Sequence, residues 1–194
     1  MIVVYQPATA TALSGLSPRF DERTYSVFLA DQLFSNASLD LLIEIARRCP
    51  DITFDVYGRV AERSSEAINR SFGQNIRFNG SLATFDTIPV ERYAAFLYSS
   101  FDDGLAPVVI DMAMRGVPVV ASGVGGMSDL VDADTGWLIE NYREPSCYVE
   151  ALGQMRRNLV DVARRVTNMA TRVRHHHSWN QYVELLGQGG SFLD

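Results

Sequence analysis

LYSSFDDGLAPVVIDMAMRGVPVVASGVGGMSDLV, residues 97–131, decides the fold. Its apolar lead-in, Ala94 to Tyr98, predicts a buried strand, and the acidic turn Asp102-Asp103-Gly104 follows at the C-terminal end of that strand. Pro107 suits the first position of a helix, where its missing N–H would have no intrahelical partner anyway. Val108, Val109, Met112 and Ala113 give the helix one apolar face, and Gly116 is placed to end it. Val117 to Ala121 predicts a second buried strand, after which Gly123, Gly125 and Gly126 turn the chain into another helix. The unit is strand, turn, helix, strand, glycine turn, helix.

Two carboxylates mark its rim. Asp103 lies in the first turn and Asp111 eight residues on, inside the helix, a spacing that can bring both to one edge of a pocket. Between them, backbone N–H groups from Gly104 to Ala106 stand at a helix N-terminus, where an anion is favoured. A ligand with a diphosphate and several hydroxyls would suit this rim. Taken singly, a turn aspartate and a solvated helix aspartate would account for the same two residues.

Outward from this stretch the pattern repeats. Tyr25 to Ala30, Ile52 to Tyr57 and Ile76 to Phe78 read as strands, and Leu39, Leu42, Ile43 and Ala46 give a helix from about Ala37 to Cys49, stopped before Pro50. Ser64 to Phe72 reads as a helix and Thr84 to Val90 as a loop. Met1 to Thr24 reads as a linker or edge strand, leaving residues 25–194 as one domain. Beyond Ile139, the positions Leu152, Met155, Leu159, Val162, Val166, Met169 and Val173 step by three and four, the seam of one long amphipathic helix or two broken ones. The arginines flanking that seam read as a solvated face, and His175-His176-His177 as a surface tract, since three consecutive histidines on a helix diverge from any single ion. Ser178-Trp179-Asn180-Gln181 has the form of a capping box before a last short helix. Strands alternating with helices imply βαβ units. The fold class is therefore α/β, a Rossmann-like three-layer α/β/α sandwich of five or six strands with a mainly parallel sheet.

Composition narrows the function. The chain has 194 residues, a net charge of −6 and 17 basic residues, every one an arginine. Without lysine there is no P-loop, and an acidic chain with no basic run is a poor nucleic-acid binder. No Gly-x-Gly-x-x-Gly follows the first strand, and no Gly-x-Ser-x-Gly elbow occurs. Cys49 and Cys147 fit no metal-ligand spacing and read as free thiols of a reducing compartment. With no apolar run of membrane-spanning length, the setting expected is the cytoplasm.

The central stretch resembles the donor-binding signature of retaining GT-B glycosyltransferases, the large group that includes sucrose synthases and many bacterial polysaccharide enzymes. The residues that carry the likeness are Ser99-Ser100-Phe101-Asp102-Asp103-Gly104-Leu105-Ala106, then Asp111-Met112-Ala113-Met114-Arg115-Gly116-Val117-Pro118-Val119-Val120-Ala121-Ser122, then Gly125-Gly126, Asp129-Leu130-Val131 and Thr135-Gly136-Trp137-Leu138-Ile139. Both acidic positions hold aspartate where that pattern has glutamate. The resemblance runs from about Tyr25 to Leu186 and implies one half of a GT-B fold, the half that binds the nucleotide sugar. It implies Asp103 as the catalytic-site carboxylate on the donor sugar hydroxyls and Asp111 on the ribose. The N–H groups of Leu105 and Ala106, following Gly104, would meet the diphosphate, with Gly125 and Gly126 allowing close approach. It implies no metal and no cofactor.

The first helix unit departs from that pattern. Two cations that would hold the diphosphate are replaced by Gln32, which can still donate a hydrogen bond, and by Ala37; Arg59 is a possible substitute. The function implied is a donor-binding domain that takes a UDP- or GDP-sugar and passes the sugar to a glycan or lipid acceptor, with an N-terminal acceptor domain or partner subunit completing the cleft. A catalytically silent glycosyltransferase-like binding or assembly module is the alternative.

Overall fold

The computed structural model describes residues 25–60, 73–81, 84–101, 106–177 and 183, with residues 31–34 and 60 described in backbone course alone. The expectations for Met1–Thr24, for a helix over Ser64–Phe72, for the Asp102-Asp103-Gly104 turn and for the capping box at Ser178 lie outside these residues.

Strand β1, Tyr25–Phe34, leads through Ser35 into helix α1, Asn36–Arg48. Ser35 caps α1 by accepting the Ser38 N–H at 3.1 Å. The helix buries Leu39, Leu42, Ile45 and Ala46 and ends before Pro50, which disfavours helical geometry at Cys49. Strands β2, Ile52–Val60, and β3, Ile76–Phe78, follow, then short 3-10 turns at Phe85–Thr87 and Val90–Arg92. Strand β4, Ala95–Tyr98, is buried throughout. Helix α2, Pro107–Met114, begins at the expected proline and ends where Gly116 takes φ +73°. Strand β5, Val119–Ser122, leads to helix α3, Met127–Leu130, and strand β6, Trp137–Ile139, to helix α4, Pro145–Arg157. Helix α5, Leu159–His176, completes the described chain.

All six strands pair in parallel, in the order β3-β2-β1-β4-β5-β6. The chain winds outward from β1 to β3, then returns beside β1 and winds the other way. That reversal between β1 and β4 is the switch point at which ligands of open α/β sheets bind, beyond the C-terminal ends of the strands. Pairing of β1 with β4 is recorded at Val27↔Ala95 and Phe28↔Phe96, whereas β4 stays paired with β5 up to Tyr98↔Ala121. A crevice therefore opens between β1 and β4 on the C-terminal side, where β1 also carries a register shift after Ala30.

Two cores lie on the two faces of the sheet, as a parallel sheet requires. On one face Val27, Leu29, Phe54, Val56, Leu97 and Val120 pack under α1 and α4. On the other, Phe28, Phe96, Val119 and Ala121 pack under α2 and α3. Helix α5 serves both: Val162 and Val166 belong to the first core, Met169 and Val173 to the second. The α/β/α sandwich expected from the alternation is the fold observed.

Several local expectations need correction. The second strand of the central stretch starts at Val119 rather than Val117. Strands β1 and β2 run past Ala30 and Tyr57, and the loop at Thr84–Val90 contains a 3-10 turn. Of the two forms expected for the long seam, the structure has the broken one, divided at Asn158, and Leu159, expected on the seam, is 45% exposed. The histidine tract is divided: His175 and His176 are exposed, but His177 closes the C-terminus of α5, donating its N–H to Val173 C=O at 2.8 Å, and is buried. Among the described residues no helix is long and apolar enough to cross a membrane, and no group of three or more His, Cys, Asp or Glu side chains could hold a metal ion.

Candidate functional site

Three loops meet along the C-terminal edge of the sheet. The first leaves β4 through Ser99 and re-enters the described chain at Ala106, the N-cap of α2. Ala106 has no side chain to cap the helix, and no acidic residue stands in its first turn. Among the described residues, the first turn of α2 is closed by the Val109 N–H donating to Ala106 C=O at 3.0 Å and by no N-cap side chain, and its positive dipole end faces the sheet edge. Ser99, where the loop leaves β4, is buried, and its hydroxyl makes no hydrogen bond among the described residues.

The second loop is the glycine turn after β5. Gly125 has φ +56°, a left-handed conformation that favours glycine, and Gly126 is the N-cap of α3. Gly123 serves closeness instead. Its N–H donates to Ile139 C=O at 2.9 Å, and a Cβ there would come within 3.2 Å of that oxygen and 3.3 Å of Glu140 Cα. This contact ties the turn to the third loop, which leaves β6 through Glu140 to Arg143.

The third loop is held from below. Tyr148, fully buried on α4, donates its hydroxyl to Tyr142 C=O at 3.0 Å and shares a 2.8 Å bond with Ser122 Oγ. Burial pushes the Tyr148 phenol up to about 12, the Ser122 bond opposing the rise. Above it the rings of Phe101 and Tyr142 pack at 5.8 Å, tilted by 48°. The Arg143 guanidinium lies over both, 5.1 Å from the Phe101 centroid and 5.6 Å from that of Tyr142. The first and third loops are thereby joined across the rim.

Of the expected site residues, Ala106, Asp111, Gly125 and Gly126 are brought to this region. Ala106 and Asp111, which is half-buried, lie on α2; the two glycines form the adjoining turn. Asp103, Gly104 and Leu105 lie outside the described residues. Gln32 falls within β1, where only the backbone is described, and Ala37 is exposed in the first turn of α1. Arg59, near the end of β2, is exposed and already makes an interaction of its own. Sequence reasoning missed the Tyr148–Ser122–Tyr142 support and the Phe101–Tyr142–Arg143 stack. Neither has a spacing signature, because each joins residues from different loops.

Two cavities lie on the β6 side of the molecule. One of about 480 Å³ runs along β6 between α4 and α5, and its lining includes Trp137, Glu140, Asn141, Glu150 and Arg165. Arg165 covers the Trp137 ring at 4.4 Å and donates to Gly136 C=O, so the aromatic face is already occupied. The other, about 470 Å³, is lined by residues including Thr135, Asn168, Arg172 and His175 near the N-terminal end of β6. Neither contains Ala106, Asp111 or the glycine turn.

The family model for glycosyl transferases group 1 matches residues 27–158, more than half of the chain. The chain belongs to that family. Its α/β/α sandwich is one half of the GT-B fold. Among curated relatives, the GtfA subunit of UDP-N-acetylglucosamine–peptide N-acetylglucosaminyltransferase from Streptococcus parasanguinis is 26% identical over 132 residues, which is 63% of this chain and 26% of that protein. The solved structure of HepE from Anabaena, in complex with UDP and glucose, is similar over 88% of this chain and 49% of that one, with a TM-score of 0.76 at 16% identity. The C-terminal domain of the group 1 family protein LpcC from Francisella tularensis is similar over 91% of this chain and 97% of that one, with a TM-score of 0.64 at 16% identity. This group 1 glycosyl transferase chain thus spans about a quarter of its curated relative and about half of HepE, and it matches an isolated C-terminal domain nearly end to end.

Proposed function

We propose that this chain is the donor-binding domain of a glycosyltransferase that takes a UDP- or GDP-sugar and transfers the sugar, with retention, to a glycan or lipid acceptor. The observation that carries the reading is the N-terminus of α2, which no N-cap side chain closes among the described residues, with Asp111 on the same helix and the Gly125–Gly126 turn after the neighbouring strand, beside the β1–β4 crevice. Asp111 bonds the ribose hydroxyls and Asp103 the donor sugar hydroxyls. N–H groups at Leu105 and Ala106 meet the diphosphate, and Gln32 donates one further hydrogen bond. In the transfer, the bond from the anomeric carbon to the diphosphate oxygen breaks, and the nucleoside diphosphate leaves with the electron pair. Aligned N–H groups at a helix end stabilise such developing charge without reorganising. The acceptor oxygen forms the new bond and gives its proton to the departing diphosphate oxygen, within a cleft completed by an N-terminal domain or partner subunit.

A second reading, a catalytically silent binding or assembly module, is favoured by the neutral residues Gln32 and Ala37. Calorimetric titration of the chain with UDP, GDP and their glucose and mannose conjugates separates the two. The donor reading expects saturable binding of one nucleotide series that weakens at least about tenfold in Asp111→Ala, the loss of a hydrogen bond to a charged group. It also expects no sugar transfer by this chain alone. Absence of binding to both series at millimolar ligand would overturn the donor reading and leave the silent module.

A further inference from the structure

We propose that the groove along β6, between α4 and α5, binds a neutral polyhydroxylated ligand, a short oligosaccharide. Its volume of about 480 Å³ is that of a small-molecule site. Three elements build it. The floor is β6 itself, with Gly136 before it. One wall is a single face of α4, where Cys147, Glu150, Ala151 and Gln154 recur at steps of three and one or four, along roughly 10 Å of helix axis. The other wall is Arg165 on α5 with the Asp132–Ala133 turn, and Glu140 and Asn141 stand where the chain leaves β6.

The groove offers acceptors and donors together. Glu140 and Glu150 are exposed and make no ion pair among the described residues; Glu150 shares only a 3.4 Å bond with Gln154 Nε2. Asn141 and Gln154 bring exposed amides. Arg165 spends Nε on Asp161 and Nη1 on Gly136 C=O, and its Nη2 makes no bond among the described residues. Beneath that guanidinium lies Trp137, 6% exposed, whose indole N–H has no acceptor among the described residues. A buried donor left unmet is costly to the folded chain.

This inventory selects the ligand. Arg165 already answers Asp161, whereas Glu140 and Glu150 are unanswered, so an anion is repelled. An apolar ligand would strip water from carboxylates and amides and return no hydrogen bond. A cation would meet the two carboxylates and leave the amide, guanidinium and indole donors idle. Hydroxyls both donate and accept. Each can give its proton to Glu140 or Glu150 and take one from Gln154, Arg165 or Trp137. A sugar carries such hydroxyls on adjacent carbons, and the chain belongs to a family of glycosyl transferases. The groove is lined by described residues of β6, α4, α5 and the neighbouring loops, so this site stands or falls apart from the donor reading.

The test is a proton–nitrogen NMR titration of the 194-residue chain carrying Trp179→Phe, which leaves Trp137 as its one indole. The probes are neutral tetrasaccharides (maltotetraose, cellotetraose and chitotetraose), with the amine-bearing chitosan tetramer and acidic tetragalacturonic acid as charged counterparts. The expected result is saturable binding of at least one neutral probe at millimolar concentration, nearly independent of salt. The Trp137 indole proton should move downfield as it gains an acceptor. Glu150→Ala and Gln154→Ala should each weaken that probe about fivefold, the loss of one hydrogen bond. Glu91→Gln, a charge control in the 3-10 turn before β4, should change nothing. Failure of every neutral probe to bind at millimolar concentration overturns the proposal. So does binding of the chitosan tetramer alone that fades with salt, which would make the groove a cation site. Parent-like affinity in both Glu150→Ala and Gln154→Ala, or displacement of the sugar by UDP, would place the ligand elsewhere and overturn it equally.

Discussion

Gly136 shows how one position can be fixed by its surroundings. A Cβ there would lie 2.9 Å from Val119 C=O and 2.9 Å from Val131 Cγ1. The oxygen belongs to a central strand and has no room to move. Gly136→Ala is therefore expected to cost about 1–3 kcal/mol, the range for forced overpacking. Gly123→Ala, whose nearest contact would be 3.2 Å, should cost less. Denaturant midpoints at constant slope measure both, and a Gly136→Ala midpoint equal to the parent's would refute the packing argument. The sequence marked Gly136 within the Thr135-Gly136 motif, and likewise Gly125 and Gly126, because glycine is read directly from its identity. Tyr148 and Arg143 carried no such mark. A buried tyrosine that props a distant carbonyl, and an arginine laid over rings from another loop, acquire their roles only when the chain is folded.

Asn158 performs two tasks between α4 and α5. Its N–H closes α4 by donating to Gln154 C=O at 3.1 Å, and its side chain opens α5 by accepting the Asp161 N–H at 3.0 Å. Replacing it with alanine keeps the first bond and removes the second, so Asn158→Ala should lose about 0.5–2 kcal/mol, the usual cost of an N-cap. Circular dichroism melts of the variant give the value; no loss would mean that α5 is held by packing alone. The periodicity of the sequence ran straight through this break, since Met155, Leu159 and Val162 keep steps of four and three. An asparagine within a helical seam signals a cap only weakly. By contrast α2 was legible to within a residue, because Pro107 and Gly116 bracket it from both ends. At sheet level the alternation gave parallel strands, but their order depends on which way each crossover folds back, and that is settled by packing.

Across the whole molecule, α5 is pinned by charge as well as by apolar burial. Bonds from Arg164 and then Arg165 hold the Asp161 carboxyl below its ordinary value of 3.8. At Asp132, burial pushes up, but bonds from Arg172, the Asp134 N–H and Thr135 together prevail and lower it. Arg156, on α4, lowers Asp51 in the same sense. A carboxyl depressed in the folded state stabilises above its unfolded value and loses that contribution as pH falls through the folded one. Thermal midpoints should therefore hold level from about pH 7 to 5 and drop below about pH 4. Surface pairs of this kind are individually weak, so the drop should be shared: Asp161→Asn should flatten part of it, and added salt should reduce it. A midpoint level down to pH 2 would mean that these pairs contribute nothing.

The placing of α5 has one more consequence, for how the protein is made and how it can be cut. The match to the family model ends at residue 158, while the helix that supplies Val162 and Val166 to one core and Met169 and Val173 to the other begins at residue 159. The segment that the family model matches is thus shorter than the segment that the two cores require. A fragment trimmed at that boundary would keep every strand and every glycine turn, yet leave apolar surface uncovered on both sides of the sheet at once. A ribosome faces the same arithmetic: neither side of the nascent sheet is sealed until α5, the last described helix, has emerged.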